Sequence, residues 1–297
     1  MTGIRKKGDR AVSKKAKRVI LCVMAAVLFL AAFLYYENNA IGITRFTVGS
    51  AKLPEAFDDY RIVHLTDLHS KSFGKGQRRL VGKVGKLKPD LIVFTGDLVD
   101  RRKYEAEASV ILMRELTKLA PVYYVTGNHE YGENKFKPLQ IELERAGVRV
   151  LRNQSGMIAR GGGEIRIAGV DDPMFNRVED GNFDKINAHL DAALEETKEA
   201  GEAFTLLLSH RPELFEAYVR REMDVTFSGH AHGGQVRLPF VGGLVAPGQG
   251  VLPKYDGGMY TEGESAMIVS RGLGNSIIPQ RLFNRPEVVL VELTRQE

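Results

Sequence analysis

Residues 91–100 read Leu-Ile-Val-Phe-Thr-Gly-Asp-Leu-Val-Asp, an apolar run that ends in a glycine and two carboxylates. Such a run, bounded by a turn residue, is typical of a short buried β-strand. The same order, a short apolar run followed by polar residues, occurs five times in the chain. The five polar segments are Asp67-Leu68-His69, Gly96-Asp97-Leu98-Val99-Asp100, Gly127-Asn128-His129-Glu130, Ser209-His210 and Gly229-His230-Ala231-His232. They hold five of the seven histidines, so the histidines are concentrated where strands are predicted to end.

Amphipathic helices are predicted between the first three strands. The apolar stripes are Leu80, Val81, Val84 and Leu87 in one helix and Ile111, Leu112, Leu116 and Leu119 in the other. A strand, helix, strand order makes the strands parallel, and their carboxyl ends then lie at one edge of the sheet. Open α/β sheets bind their ligands at that edge. We therefore expect the Asp, Asn and His side chains to converge there.

The number and spacing of these side chains predict a metal site. Residues two apart on an extended segment point to one side, which pairs Asp67 with His69 and His230 with His232. With Asp97, Asn128 and His210 they supply more N and O ligands than the about four to six that one ion needs. Two ions sharing a ligand are therefore indicated. Asp97 is the natural bridge, because its two carboxylate oxygens can each bind a different cation.

The five segments resemble the calcineurin-like metallophosphoesterases, whose motifs are D-x-H, G-D-x-x-D, G-N-H-E/D, a lone His and G-H-x-H. All five motifs are present in order, and the resemblance covers roughly residues 60 to 295. It implies a four-layer α/β/β/α sandwich of two mixed sheets, where periodicity alone indicates only an α/β fold with a partly parallel sheet. Gly229–Gln235 and Ser270–Gly274 look most like the membrane-anchored bacterial branch of the family.

The resemblance also implies roles for individual residues. One metal would be held by Asp67, His69, Asp97 and His232, and the other by Asp97, Asn128, His210 and His230. The two divalent cations (Mn, Fe, Zn or Mg) would activate a water molecule for attack on phosphorus. Asn128 would offset charge on the phosphoryl oxygens, and His129 would protonate the departing oxygen. Arg271 either grips a second phosphate of the substrate or is structural.

The remaining polar residues near these motifs have plainer interpretations. His64 lies on the strand face opposite to Asp67, and His189 lies one position off the apolar face of a predicted helix, so both are expected to be structural. Asp100 and Glu130 either orient the metal ligands or are solvated loop carboxylates.

The distribution of charge argues against a nucleic-acid partner. The net charge is +5, but residues 1–18 contain eight Lys or Arg and one Asp and so carry +7. The other 279 residues therefore carry −2 and have no general attraction for a polyanion. The single cysteine, Cys22, excludes a disulfide within the chain.

A membrane anchor is predicted after the basic segment 1–18. Residues 19–36 contain no charge and no proline, and a helix of this length, about 27 Å, nearly spans a bilayer. The positive-inside rule places residues 1–18 in the cytoplasm and the rest of the chain outside the cytoplasmic membrane, as a single-pass protein. A cleaved signal peptide is the alternative, although the apolar core is longer than the usual about 7–15 residues. Residues 37–57 are predicted as a stalk and residues 58–297 as one catalytic domain.

Three functions remain open at this point. The first is a phosphodiesterase or pyrophosphatase acting on a membrane-proximal lipid or envelope phosphoester. The second is a tethered phosphatase or phosphodiesterase for soluble nucleotides, and the third is a non-catalytic metal-binding module. For the first, the loops 233–259 and 272–284 are expected to form an apolar lip beside the metals, with Leu238, Phe240, Val241, Ile277 and Ile278.

Overall fold

The computed structural model describes residues 13–130, 133–176, 182–275 and 278–296. The first half of the chain alternates strands and helices. Its elements are α1 (Lys14–Asn39), β1 (Gly42–Ser50), β2 (Tyr60–Leu65), α2 (Arg78–Lys86), β3 (Leu91–Thr95), α3 (Glu107–Leu116), β4 (Val122–Val125), α4 (Glu133–Arg145) and β5 (Arg149–Val150). The second half contains β6 (Gln154–Arg160), β7 (Gly163–Gly169), α5 (Asn182–Glu195), β8 (Thr205–Leu208), α6 (Phe215–Arg220) and β9 (Val225–Ser228). It ends with β10 (Arg237–Leu238), β11 (Gly242–Gly243), β12 (Val245–Ala246), β13 (Gly250–Val251), β14 (Gly258–Glu262), β15 (Ser265–Val269) and β16 (Glu287–Arg295).

Two six-stranded mixed sheets form the centre of the fold. The first has the order β1-β16-β2-β3-β4-β5, and β2 to β5 are parallel, as the helical crossovers between them require. The second has the order β14-β15-β9-β8-β7-β6, with β15, β9, β8 and β7 parallel and an antiparallel strand at each edge. The short pairs β10–β11 and β12–β13 belong to neither sheet.

The two sheets pack face to face with helices outside, which confirms the predicted four-layer sandwich. Alternate residues of β3 show the arrangement, because Val93 packs between the sheets and Phe94 packs under the helices of the first sheet. With both faces covered, the strand has to be apolar throughout. On the other side, α5 and α6 cover the second sheet through residues such as Leu190 and Tyr218.

Residues 42–50, which were predicted to lie in a stalk, are instead the edge strand β1. This strand runs parallel to β16 over its whole length, from Gly42 opposite Glu287 to Ser50 opposite Arg295. Only Ala40 and Ile41 separate it from α1. The stalk prediction was wrong because the partner strand lies some 240 residues further along the chain, beyond the reach of any local pattern.

Helix α1 is long and apolar enough to cross a membrane, and the apolar window within it is not buried by the rest of the protein. Its first turn is capped by Ser13, whose hydroxyl accepts a hydrogen bond from the Ala16 N–H. Its last turn is different, because Glu37 is buried against the domain. Residues 1–12 of the predicted basic segment lie outside the described residues.

Candidate metal centre

The predicted ligands come from the carboxyl ends of strands in both sheets. β2, β3 and β4 of the first sheet lead into Asp67, Asp97 and Asn128, whereas β8 and β9 of the second lead into His210 and His230. The single sheet edge expected from the sequence is therefore two edges, one from each layer, that face a common site. Hydrogen bonds join the layers, including one from the backbone N–H of His230 to the side-chain carboxylate of Asp67.

One group of possible ligands consists of Asp67, His69, Asp97 and His232, all buried. One ligand atom from each lies within 4.8 Å of those of the others. The Nε2 atoms of His69 and His232 are 3.0 Å apart, and Nε2 of His232 is 3.4 Å from an Asp67 oxygen. Two imidazole nitrogens and carboxylate oxygens thus converge on one point, which is the donor set of a divalent cation.

A second group consists of Asp97, His210 and His230, with Asn128 beside them. Nε2 of His210 lies 3.2 Å from both Nδ1 of His230 and Oδ1 of Asn128. The other ring nitrogen of His210, Nδ1, donates to the carbonyl oxygen of Thr95 at 2.7 Å. Since a carbonyl only accepts, this bond fixes the tautomer and directs the Nε2 lone pair into the group whenever the ring is neutral.

Asp97 connects the two groups. Its Oδ2 is 3.7 Å from Nε2 of His69 and 3.4 Å from Nε2 of His210, which belong to different groups. Its Oδ1 accepts the backbone N–H of His129 at 2.7 Å. Oδ2 is therefore the oxygen that faces imidazoles of both groups, while Oδ1 ties the carboxylate to the next loop.

The electrostatics of the buried cluster suit cations. Burial lowers the pKa of His69 to about 4 and holds those of His230 and His232 well below the usual value, so their rings are neutral at pH 7. Burial raises the pKa of Asp67 to about 7. Burial also opposes charge on His210, but the neighbouring Asp97 carboxylate outweighs it and raises that pKa to about 10. Neutral imidazoles beside buried carboxylates form a set of ligands that divalent metal ions fit.

The ligand residues have an unusual backbone conformation. Asp67, His69, Asp97, His230 and His232 all have φ between 47° and 65°, in the left-handed region. For a residue other than glycine, this conformation costs about 1–3 kcal/mol and persists only where the surrounding structure enforces it. Here the surroundings are backbone bonds between the loops, such as Asp67 N–H to the Gly96 carbonyl and His69 N–H to the Asp97 carbonyl, both 3.0 Å.

Glu130 holds two of these loops together, and its side chain is buried. Its two oxygens accept four backbone N–H groups at 2.7–3.2 Å, which belong to Asp97, Leu98, Val99 and Gly127. Of the two interpretations left open for Glu130, the structure therefore supports the one in which it orients ligand residues. Gly127 allows this approach, because a Cβ there would overlap the Asp97 carboxylate.

His129 lies at the rim of the cluster and, although buried, is slightly more exposed than the Asp and His ligands. Its ring packs edge-on against that of His69, with centroids 4.4 Å apart. Its Nδ1 accepts the backbone N–H of Arg101 at 3.2 Å, so Nε2 is the nitrogen left to carry a transferable proton. Asp100 lies 3.5 Å from Nδ1, and its carboxylate also accepts the Arg102 N–H.

The other predicted residues are placed as follows. The guanidinium of Arg271 donates to Glu287 at 2.5 and 2.9 Å, which supports the structural alternative for this residue. His64 is fully buried and its Nε2 lies 2.8 Å from the Thr95 hydroxyl. His189 lies in α5 with Nδ1 3.1 Å from the Asp171 carbonyl. Neither histidine belongs to the metal-ligand groups found among the described residues.

Sequence reasoning missed two supports of the site. Arg211, buried beside His210, pairs with Asp172 at 2.8 Å and with Glu213 at 3.1 Å, and Glu213 lies 3.8 Å from Nε2 of His230. Arg211 directly follows the predicted ligand His210, and this position could have indicated its role. The other support is Asn284, whose amide donates to the carbonyl oxygens of His232 and Gln235 at 2.7 and 2.9 Å. Nothing local in the sequence marks it.

Comparison with known proteins gives the class. The family model described as calcineurin-like phosphoesterase matches residues 60–234, so the chain belongs to that family, as the motifs predicted. Its members are metal-dependent phosphoester hydrolases, and so is this protein. The substrate is accordingly a phosphoester.

Individual relatives are consistent with this assignment. The chain is 30% identical over 265 residues to the uncharacterized metallophosphoesterase YkuE of Bacillus subtilis, covering 87% of each chain. It is 31% identical over 241 residues to the phosphodiesterase YaeI of Escherichia coli, covering 79% of this chain and 82% of that one. It is also 28% identical to a transmembrane protein with metallophosphoesterase domain of Bos taurus, covering 93% of this chain and 62% of that one.

Proposed function

We propose that the protein is a dinuclear phosphodiesterase or pyrophosphatase that acts on a lipid or cell-envelope phosphoester close to a membrane. The observation that carries the two-metal part is the position of Asp97, whose Oδ2 faces imidazoles of two separate ligand groups. Two cations that shared this carboxylate would together stabilise the displacement of a group at phosphorus.

The proposed ligand sets follow the two groups. Asp67, His69, Asp97 and His232 would hold one divalent cation, and Asp97, Asn128, His210 and His230 the other. When bound, the cations supply an activated water nucleophile and offset negative charge on the phosphoryl oxygens.

The protein side chains around the cations position the substrate and move its proton. The Asn128 amide, partly exposed at the edge of the cluster, would contact a phosphoryl oxygen with its N–H₂ while Oδ1 faces the ligands. Nε2 of His129 would donate a proton to the leaving oxygen, because Nδ1 is engaged as an acceptor.

Membrane anchoring by α1 supports a substrate held near a bilayer. The apolar window of this helix is unburied, and a relative named for its transmembrane character aligns over most of the chain. We propose a single pass through the cytoplasmic membrane with the catalytic domain outside the cytoplasm, since the basic residues precede the helix. A reporter that is active only outside the cytoplasm, fused after the last residue, should then be active.

Replacement of the shared carboxylate tests the two-metal part. The full-length Asp97→Ala variant, compared with Asp184→Ala on the exposed face of α5, should lose at least one metal ion and nearly all hydrolysis of a chromogenic diester. Metal content is measured by elemental analysis of the purified protein. Full metal content together with a wild-type rate would rule out the assignment. Parallel assays of lipid phosphoesters in vesicles and of free nucleotides test the substrate class, and faster turnover of nucleotides in every format would favour the soluble alternative.

A further inference from the structure

A long uncharged segment follows the metal-binding loop. No charged residue occurs between Arg237 and Lys254, a stretch that contains β10 to β13. Most of its large apolar side chains are exposed, and Phe240 at the tip of the β10–β11 hairpin is fully exposed, with a relative accessibility of 108%. The exposed apolar residues of this stretch are Leu238, Phe240, Val241, Val245, Val251 and Leu252. Six exposed apolar side chains within residues 238–252 indicate an interaction surface.

The β10–β11 hairpin is attached to residues 279–285, which form a loop that packs on α1. Val236 forms a parallel bridge with Leu282, and the Arg237 N–H donates to the Leu282 carbonyl at 3.0 Å. The next residue, Phe283, packs against Phe33 of α1, with ring centroids 5.8 Å apart. Phe283 and the nearby Ile278 are themselves exposed. The hairpin is therefore joined to the proposed membrane helix through Leu282 and Phe283.

The contact with α1 lies within the segment that is proposed to span the membrane. Phe33 falls inside the predicted span of residues 19–36, about 6 Å along the axis from the buried Glu37 at 1.5 Å per residue. Arg285 donates to the Tyr36 hydroxyl at 2.8 Å, a pair of side chains typical of the headgroup layer. Because Phe283 contacts Phe33, which lies deeper in the predicted span than Tyr36, this loop extends past the Arg285–Tyr36 pair towards the bilayer interior.

The end of α1 and this loop form one unit. The Glu37 carboxylate accepts the Asn284 N–H at 3.1 Å, and the Asn38 side chain accepts the Arg281 N–H at 2.8 Å and donates to the Pro279 carbonyl at 2.9 Å. These contacts fix the tilt of the domain relative to the helix. The hairpin is bridged to the same loop through Leu282 and shares this fixed orientation.

We propose that residues 238–252, together with Ile278 and Phe283, form a bilayer-contact surface that inserts into the interfacial layer of the phospholipid membrane crossed by α1. The inference rests on the anchoring part of the proposed function. The hairpin begins at Arg237, five residues after His232, so insertion holds the metal centre beside the lipid headgroups. Phosphoesters carried by lipids then reach the site without leaving the membrane plane.

The absence of tryptophan from the chain allows a direct test. Full-length Phe240→Trp protein is reconstituted into phosphatidylethanolamine–phosphatidylglycerol vesicles, with and without lipid brominated in the upper part of its acyl chains. Interfacial elements lie about 5–10 Å deep, within reach of such a quencher. We expect bromolipid to remove about half or more of the fluorescence and acrylamide in the water to have little effect.

Two further single-tryptophan variants serve as controls. Leu119→Trp places the reporter at an exposed apolar position just before the amino end of β4, at the edge of the sheet opposite to the metal centre. It should be quenched by acrylamide and not by bromolipid. Phe29→Trp lies in the exposed middle of α1 and should be quenched by bromolipid. Failure of Phe29→Trp would overturn the anchoring and the contact surface together.

The contact surface alone is overturned if Phe29→Trp is quenched but Phe240→Trp behaves like Leu119→Trp. Protection of the Phe240→Trp reporter from acrylamide without bromolipid quenching would assign the surface to a protein contact, including a second copy of this chain, and also overturns the proposal.

An activity assay separates the surface from the substrate. Phe240→Asp should lower turnover of a vesicle-borne phosphoester about tenfold or more and leave a soluble chromogenic diester unaffected. If Phe240→Trp inserts but wild-type protein hydrolyses no lipid-borne phosphoester, the surface stands and the lipid substrate is rejected.

Discussion

Replacing Glu130 by glutamine should destabilise the protein to different degrees with and without metal. Each carboxylate oxygen of Glu130 accepts two buried backbone N–H groups. An amide keeps one oxygen and turns an NH₂ donor toward the other two groups. A buried donor left without a partner costs about 1–3 kcal/mol, so two cost about 2–6 kcal/mol. This is a large share of the about 5–15 kcal/mol by which a native domain is stable.

The metal dependence arises from the pKa of Glu130. In the metal-free chain, burial and the nearby Asp97 carboxylate raise it from 4.5 to about 8, so the side chain is protonated at pH 7. A protonated acid resembles the glutamine amide, and the substitution then costs little. Cations bound at Asp97 reverse the local charge and favour the ionised carboxylate, which the four donors require. We therefore expect Glu130→Gln to lower the free energy of unfolding of the metal-loaded protein by the full about 2–6 kcal/mol. In the metal-free protein at pH 7 the loss should be less than about 1 kcal/mol.

Chemical denaturation of both forms measures this difference. Glu164→Gln, on the exposed side of β7, is the matched control and should leave stability unchanged in either form. The pH dependence has a defined sign. Because the folded pKa is the higher one, metal-free wild-type protein loses stability as the pH rises from 4.5 towards 8, and Glu130→Gln lacks this component. Equal destabilisation with and without metal would refute the reasoning.

Three further results are expected. His129→Gln should retain metal yet slow hydrolysis by about 10²–10⁴-fold, more for alkyl than for nitrophenyl leaving groups, and an equal loss for both would assign His129 to positioning instead. Metal binding at pH 7.5 should release protons, because the Asp97 carboxylate overcomes burial and raises the pKa of His210 to about 10 in the metal-free chain. Calorimetry in buffers of different ionisation enthalpy counts these protons, and affinity should rise with pH. By the same shift, His210 stabilises the metal-free fold below its unfolded pKa of 6.5, and this contribution is lost as the pH rises through about 10. Asn284→Ala should lower the unfolding free energy by about 1–3 kcal/mol and weaken metal binding, since it removes the donor to the His232 carbonyl; unchanged melting and affinity would contradict the role given to Asn284.

The strands that lead into the site could be predicted because they are buried on both faces. The strand Leu91–Thr95 has the bounds that the run in residues 91–100 predicted, since a run with no charged residue ends where the chain turns to the site. β1 could not be recognised in this way. It is an edge strand with polar and half-buried positions, and its only strand partner in the described chain, β16, is remote in sequence.

The geometry of the site was beyond prediction for a different reason. The motifs indicated which residue types come together, but the left-handed φ of residues such as Asp67 and His232 depends on hydrogen bonds between loops that are distant in sequence. Nothing in a single segment shows that Glu130 spans two loops. Ile277, expected in the apolar lip, lies outside the described residues, whereas Leu238, Phe240, Val241 and Ile278 of that prediction are exposed.

The short junction between α1 and β1 changes what anchoring can do for the enzyme. A flexible stalk of about twenty residues would allow the domain to move about 25 Å away from the membrane and to rotate freely. The junction consists only of Ala40 and Ile41, and Glu37 at the end of the helix contacts Asn284 of the domain. Such a junction prevents both movements. Asn284 in turn binds the His232 carbonyl, so a chain of direct contacts runs from the proposed membrane helix to a proposed metal ligand. The orientation of the metal centre relative to the bilayer is then a property of the fold, and truncating α1 at Asn39 would remove part of the support of the site as well as the anchor.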